Sequence, residues 1–242
     1  MLSVVDLVNM HTLDLDLAAY LTARVSRGCS FLVGALPGGA GKTTVMAALL
    51  NFVPPDCRLA TADSGTTVRR ILAAPDDRRC CFICHEIGSG PYFAYLWGRD
   101  ARDFFALPAA GHVIATNLHA DTYEQCRAQL CRDVGLAETA FHQCQLCLFI
   151  HRVGRSWSDP RRRLVAVYEG DGDGPHRLVW QWNRAADAFD RIAPSGLIVP
   201  EAPYPTAMRD FLSRMVREQV YTIEDVRARF LDFAAANPPG SA

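Results

Sequence analysis

Lysine is nearly absent from this chain. Of its 25 cationic side chains 24 are arginine, and the single lysine is Lys42. An excess of either charge is absent too. The formal net charge is -1, which excludes a chain-wide binder of nucleic acid or other polyanions. No apolar run reaches the roughly 20 residues of a membrane span, and the first residues lack the basic-then-apolar pattern of a secretory signal. The expected location is the cytoplasm. No internal repeat is present, and the only low-complexity stretch is the Pro-Pro-Gly-Ser tail at 238–241.

What is present can build a sizeable core. Half of the 242 residues are apolar, which fits one large domain or one domain with a small appendage. The lone lysine falls in Pro37-Gly38-Gly39-Ala40-Gly41-Lys42-Thr43-Thr44. An arginine-rich composition has kept lysine where arginine would fail. A guanidinium is a wide planar fork, whereas an ammonium is a compact charge that fits between phosphate oxygens. The run therefore reads as a loop that wraps nucleotide phosphates.

The surrounding pattern gives the context such a loop requires. Thr12 is placed to cap a helix that runs to about Ser26 and stops at Gly28. A short apolar strand at 29–33 enters the loop, and a helix leaves it until Pro54-Pro55. Further strands are expected at 58–61, 80–84, 113–116 and 143–151, with helices at 100–107 and 121–134. Strands alternating with helices imply a mainly parallel sheet, an α/β fold. Residues 164–168 and 178–182 read as an antiparallel hairpin about an Asp/Gly turn, with a third strand at 189–192. Two helices at 205–220 and 223–236 follow, the second capped by Thr222. The expected division is 1–160 as the nucleotide-binding core, 161–195 as a hairpin extension of the same domain, and 196–242 as a helical segment. The run Arg161-Arg162-Arg163 reads as a solvated strand entrance.

Nine cysteines invite a metal or disulfide reading. Cys81–Cys84 and Cys144–Cys147 have ligand spacing, yet both pairs lie in apolar runs without the turn of a zinc knuckle. Core packing is the leading reading, with a four-cysteine metal site and disulfides as alternatives.

Four groups carry candidate chemistry. Backbone N–H groups around Gly38, Gly39, Ala40 and Gly41 can face one concavity, Lys42 would reach the β- and γ-phosphates, and Thr43 would hold Mg²⁺, with Thr44 completing the loop. Leu36 stands where the full pattern has glycine. Glu86 ends an apolar strand, the place for a carboxylate that polarises water or holds Mg²⁺. Asp63 ends the strand after the loop helix, where ordering water or Mg²⁺ and a local Asx-type turn are both open. His112 and His119 bracket one strand whose Thr116 and Asn117 lead to its carboxyl end, where ligands of open α/β sheets sit. This arrangement suggests a γ-phosphate sensor.

These pieces, in this order, resemble the secretion-superfamily ATPases, the motors of type II and type IV secretion, type IV pili and the archaellum. The resemblance rests on residues 13–21, Gly41-Lys42-Thr43-Thr44, residues 48–55, His85-Glu86, and residues 111–121, which are similar to the family's histidine box. It covers most of 5–195. It implies a RecA-like P-loop ATPase with ATP and Mg²⁺ as ligands, a homo-oligomeric ring of six, and docking on a membrane platform protein at the inner face of the cell membrane. No specific nucleic acid is implied. Carried over, Lys42 and Thr43 bind phosphate and Mg²⁺, Glu86 is the catalytic glutamate, Asp63 falls at the aspartate box, and His119 senses nucleotide state. The family's N-terminal domain has no counterpart here, so a separate chain supplying it is a further expected partner. Ala62 precedes Asp63 where the family usually has glutamate, and no arginine follows Glu86 within 86–90. A subunit that binds ATP with little hydrolysis, or another P-loop enzyme such as a small-molecule kinase or a DNA translocase, therefore stays open.

Overall fold

The computed structural model describes residues 1–36, 38–74, 78–90, 92–154, 161–193 and 203–238. Two helices open the chain. Ser3 caps α1 (Val4–Asn9) through a capping box with Asp6, and Asp14 caps α2 (Leu15–Val25) by accepting from the Leu17 N–H. The cap expected at Thr12 thus moves two residues along. Thr12 is buried, and its carbonyl is committed to the Leu164 N–H at 2.8 Å.

The strands and helices then alternate. β1 (Phe31–Gly34) enters the glycine-rich loop and α3 (Lys42–Leu50) leaves it. Next come β2 (Arg58–Thr61), α4 (Gly65–Ala73), β3 (Cys80–Ile87), β4 (Tyr95–Leu96) and α5 (Arg99–Phe105). β5 (Val113–Leu118) is followed by α6 (Tyr123–Arg127), which passes into a π-helical turn at 128–133, and by α7 (Glu138–His142). β6 (Leu146–Arg152), β7 (Arg162–Glu169), β8 (Arg177–Asn183) and β9 (Ala188–Arg191) complete the sheet, and α8 (Pro203–Arg217) and α9 (Ile223–Ala236) follow. The Thr222 cap of α9 is present, its hydroxyl accepting from the Asp225 N–H.

The nine strands among the described residues join one sheet in the order β2-β3-β5-β1-β6-β7-β8-β9, with β4 paired to the end of β3. The pairings from β2 to β6 are parallel, and those from β6 to β9 are antiparallel. This is a RecA-like α/β arrangement, in which the loop-bearing strand has a parallel neighbour on each side. Period two divides each strand between two cores. Phe31 and Val33 belong to the core to which α2, α3, α8 and α9 also contribute, while Leu32 belongs to the core on the opposite face. Leu148 and Ile150 go with the first core, Cys147 and Phe149 with the second. Coverage of both faces explains why the parallel strands read as continuous apolar runs rather than as alternating ones. Each fully buried Phe or Leu contributes about 1.5–3 kcal/mol, which makes β1 a rigid base for the loop it carries.

The nine cysteines are free thiols, and seven of them are buried. Burial pushes Cys29, Cys57 and Cys84 up to about 11. They stay neutral and pack as small apolar groups. Among the described residues no group of three or more His, Cys, Asp or Glu side chains is arranged to hold a metal ion, and no helix is long and apolar enough to cross a membrane.

The Arg161-Arg162-Arg163 run is not uniformly solvated. Arg161 is exposed, but Arg163 is buried in a two-pronged pair with Asp187, both N···O distances being 2.7 Å. Alternation along β7 gives neighbouring arginines different environments.

Candidate functional site

Backbone constraints shape the glycine-rich loop on its helix side. Gly39 and Gly41 adopt φ of 71° and 108°, values that favour glycine. At Gly41 a Cβ would also meet Arg162 and Ile150 at 3.1 Å. Leu36, the departure from the glycine pattern, does not have positive φ, and its side chain is half exposed. Its N–H donates to Asp121 Oδ1 at 2.7 Å, and its carbonyl lies 3.0 Å from His119 Nδ1. The chain therefore needs no glycine there, and the histidine-bearing segment holds the loop instead. Gly38, Gly39, Ala40, Gly41, Thr43 and Thr44 line a cavity of about 600 Å³, within the range of small-molecule sites. Pro37 lies outside the described residues.

Three charged or titratable side chains converge below the loop. Lys42 Nζ donates to Ala35 O at 3.0 Å and lies 3.3 Å from both His119 Nδ1 and Glu86 Oε1. His119 Nε2 is 3.0 Å from the same carboxylate oxygen. Lys42 is 8% exposed and Glu86 4%. Neither charge could stay buried at tolerable cost without the other. Glu86 owes its aim to β3, whose register against β5 shifts between Cys84 and Ile87. Such an irregularity re-aims a side chain at a strand end. Parallel pairing sets Asn117 beside Val33. The Asn117 side-chain amide donates to His85 O at 2.9 Å and lies 3.5 Å from Thr43 Oγ1, while its buried Oδ1 has no hydrogen-bond partner. An unpaired buried oxygen beside a helix-start threonine suits a site that takes a hydrated cation.

Two expected residues lie elsewhere. His112 sits at the start of β5, about 20 Å from the carboxyl end at some 3.3 Å per residue. It accepts from the Cys80 N–H at 3.4 Å and meets the Phe82 ring edge-on. It is a packing residue, and its place in the sensor is corrected: the two ends of a strand cannot reach one ligand. Asp63 is three strands from β1 in the sheet order, about 14 Å at 4.8 Å per strand. Its carboxylate accepts from the Thr67 hydroxyl and, to a smaller effect, from that of Ser64, which hold its pKa below the usual carboxylate range. It lines a separate cavity at the β2 edge, so within one chain it does not reach the loop.

Several cavity residues carried no signal in the sequence. Leu2, Leu7 and Met10 come from the α1 segment, Tyr95 from β4, and Ile150 and Arg162 from β6 and β7. Burial first and the nearby Glu86 second push the Tyr95 phenol up, so it stays neutral. Parity along β7 could have separated Arg162 from Arg163, but only the register says which one faces the loop.

No family model matches the chain, and no curated protein matches it. Among solved structures, the VirB11 ATPase from the Brucella suis type IV secretion system, in complex with sulphate, is similar over 64% of this chain and 52% of that one. The identity is 22% and the TM-score 0.49. The chain thus spans about half the length of the solved structure it matches, and at that score the likeness carries no argument about the site.

Proposed function

We propose that this chain is an ATP-binding and ATP-hydrolysing motor subunit of the kind that drives protein secretion or type IV pilus assembly. The observation that carries the reading is the meeting of Lys42, Glu86 and His119 within 3.3 Å under a glycine loop at a helix start. That set supplies a cation for a phosphate chain, a proton acceptor and a group that links the two. The loop N–H groups and Lys42 would bind the β- and γ-phosphates, aided by the partial positive charge at the start of α3. Thr43 would hold Mg²⁺, whose chemistry is to neutralise charge on the phosphate oxygens. Glu86 would take a proton from the attacking water. His119 touches Lys42, Glu86 and Leu36 O, so it would register whether Lys42 is turned to a phosphate or to Glu86. We place the subunit in a ring of copies, six in number, docked on a membrane platform protein.

A second reading, a nucleotide-binding subunit with little turnover, has one observation in its favour: Asp63 does not line the nucleotide cavity. Steady-state Mg-ATP hydrolysis across a concentration series separates the two, with Lys42→Ala and Glu86→Gln as controls. A motor gives turnover that rises with concentration and falls at least about 100-fold in both variants, the scale of a lost catalytic group. Binding that depends on Lys42 without turnover supports the second reading. Absence of ATP binding by the unmodified chain defeats both.

A further inference from the structure

The cavity has two unlike ends, and the sheet order decides which is which. β3 and β5 lie on one side of β1, β6 and β7 on the other. Glu86 and His119 come from the first side and draw the Lys42 ammonium toward them. Ile150 and Arg162 come from the second side and approach Gly41. The α1 segment joins that second side. Thr12 O accepts from Leu164 on β7, and His11 Nε2 lies 2.7 Å from Asp187 O at the β8–β9 turn. Leu7 and Met10, from this segment, line the same cavity as Arg162. One end is charged and can hold phosphates. The other holds one guanidinium, Thr12 and otherwise apolar side chains.

Arg162 is held at that end. Its Nη2 donates to Gly39 O at 3.0 Å, and its Cδ and Nε pack over Gly41. Register pairs it directly with Arg152, so both arginines project from the face that carries Ile150. A phosphate chain is already provided for by Lys42 and the start of α3. What a pinned guanidinium offers at the apolar end is a flat, weakly hydrated cationic surface, which stacks on aromatic ring faces. We propose that Arg162 is the base-stacking residue of this site, and that with Leu7, Met10 and Ile150 it forms a slot for the purine base of a nucleoside di- or triphosphate. The inference rests on the nucleotide reading above. It assigns the β7 hairpin a direct part in ligand recognition, made within one chain rather than across a subunit interface.

The test is calorimetric titration of the full chain with Mg-ADP and, separately, Mg-tripolyphosphate, which carries phosphates and no base. Arg162→Ala, Arg162→Lys and Lys42→Ala are compared with the unmodified chain. Both Arg162 variants should weaken ADP about tenfold, the scale of one stacking contact, and leave tripolyphosphate within about twofold. Equal loss of both ligands in Arg162→Ala, restored by Arg162→Lys, would make Arg162 a phosphate cation and overturn the proposal. Unchanged ADP binding in the Arg162 variants, with Lys42→Ala still abolishing it, would also overturn it while sparing the nucleotide reading. ADP binding untouched by Lys42→Ala would sink that reading itself. Arg162→Lys keeps the charge and most of the stem, so it carries the measurement if Arg162→Ala does not fold.

Discussion

His112 and His119 stand at opposite ends of β5, and the two ends of that strand do different work. At the amino end, His112 is buried against Phe82 and takes a hydrogen bond from Cys80. At the carboxyl end, His119 is partly exposed and reaches Lys42, Glu86 and Leu36 O. The residue type is the same, and the direction of the strand makes one a spacer in the core and the other a candidate reporter of ligand. In a parallel sheet every strand points its carboxyl end the same way, so polar groups at the ends of strands next to β1 can share one cavity.

The sharpest way to break this comparison is to remove each ring. His119→Ala should lower Mg-ATP turnover about 100-fold or more with little change in melting temperature. His112→Ala should leave turnover within about twofold but lower the melting temperature by several degrees, as expected for a buried group costing about 1–3 kcal/mol. Paired turnover and thermal-melt measurements read both, and equal turnover losses would erase the distinction. A middle effect is expected at Asn117, which touches Thr43 and the β3 backbone together. Asn117→Ala should cost both activity, about tenfold, and stability, about 1–2 kcal/mol, by kinetics and urea melts. A loss in stability alone would place Asn117 with His112 rather than with His119. The smallest effect belongs to Asp63, also at a strand's carboxyl end but at the sheet edge. Asp63→Ala should change Mg-ADP affinity by no more than about twofold, the scale of a surface capping interaction, in samples that light scattering shows to be monomeric. A large loss in such samples would mean that position along a strand matters more than distance from β1.

Part of this was legible in the residues because the signals are local. Glycines that need positive φ, one lysine among arginines, and an acid that closes an apolar strand can each be read within a few positions. The hairpin and the α9 cap at Thr222 were legible for the same reason. What was not legible depends on register and on distant partners. Thr12 looks like a cap until its carbonyl is seen to be committed to Leu164, leaving the role to Asp14. α4 begins at a Ser-Gly pair that reads as a turn, because Ser64 caps it and Gly65 is a poor helix former. His112 and His119 are seven residues apart in the sequence, and only the extension of a strand puts them out of each other's reach. Arg162 differs from Arg161 and Arg163 in nothing but parity against β6, and the irregularity between Phe149 and Ile150 hides even that.

The scarcity of lysine has a practical side. With every other side-chain cation an arginine, the protein carries one ε-amine, set beneath the loop and almost out of solvent's reach. An acylating reagent that spares guanidinium groups has a single side-chain amine to modify, and the α-amine is its other target. The lysine's rate of reaction is a footprint of one atom, free of the background that dozens of lysines would add. The same composition that hides the site among arginines makes Lys42 a built-in reporter group, readable from the mass of the one peptide that carries it.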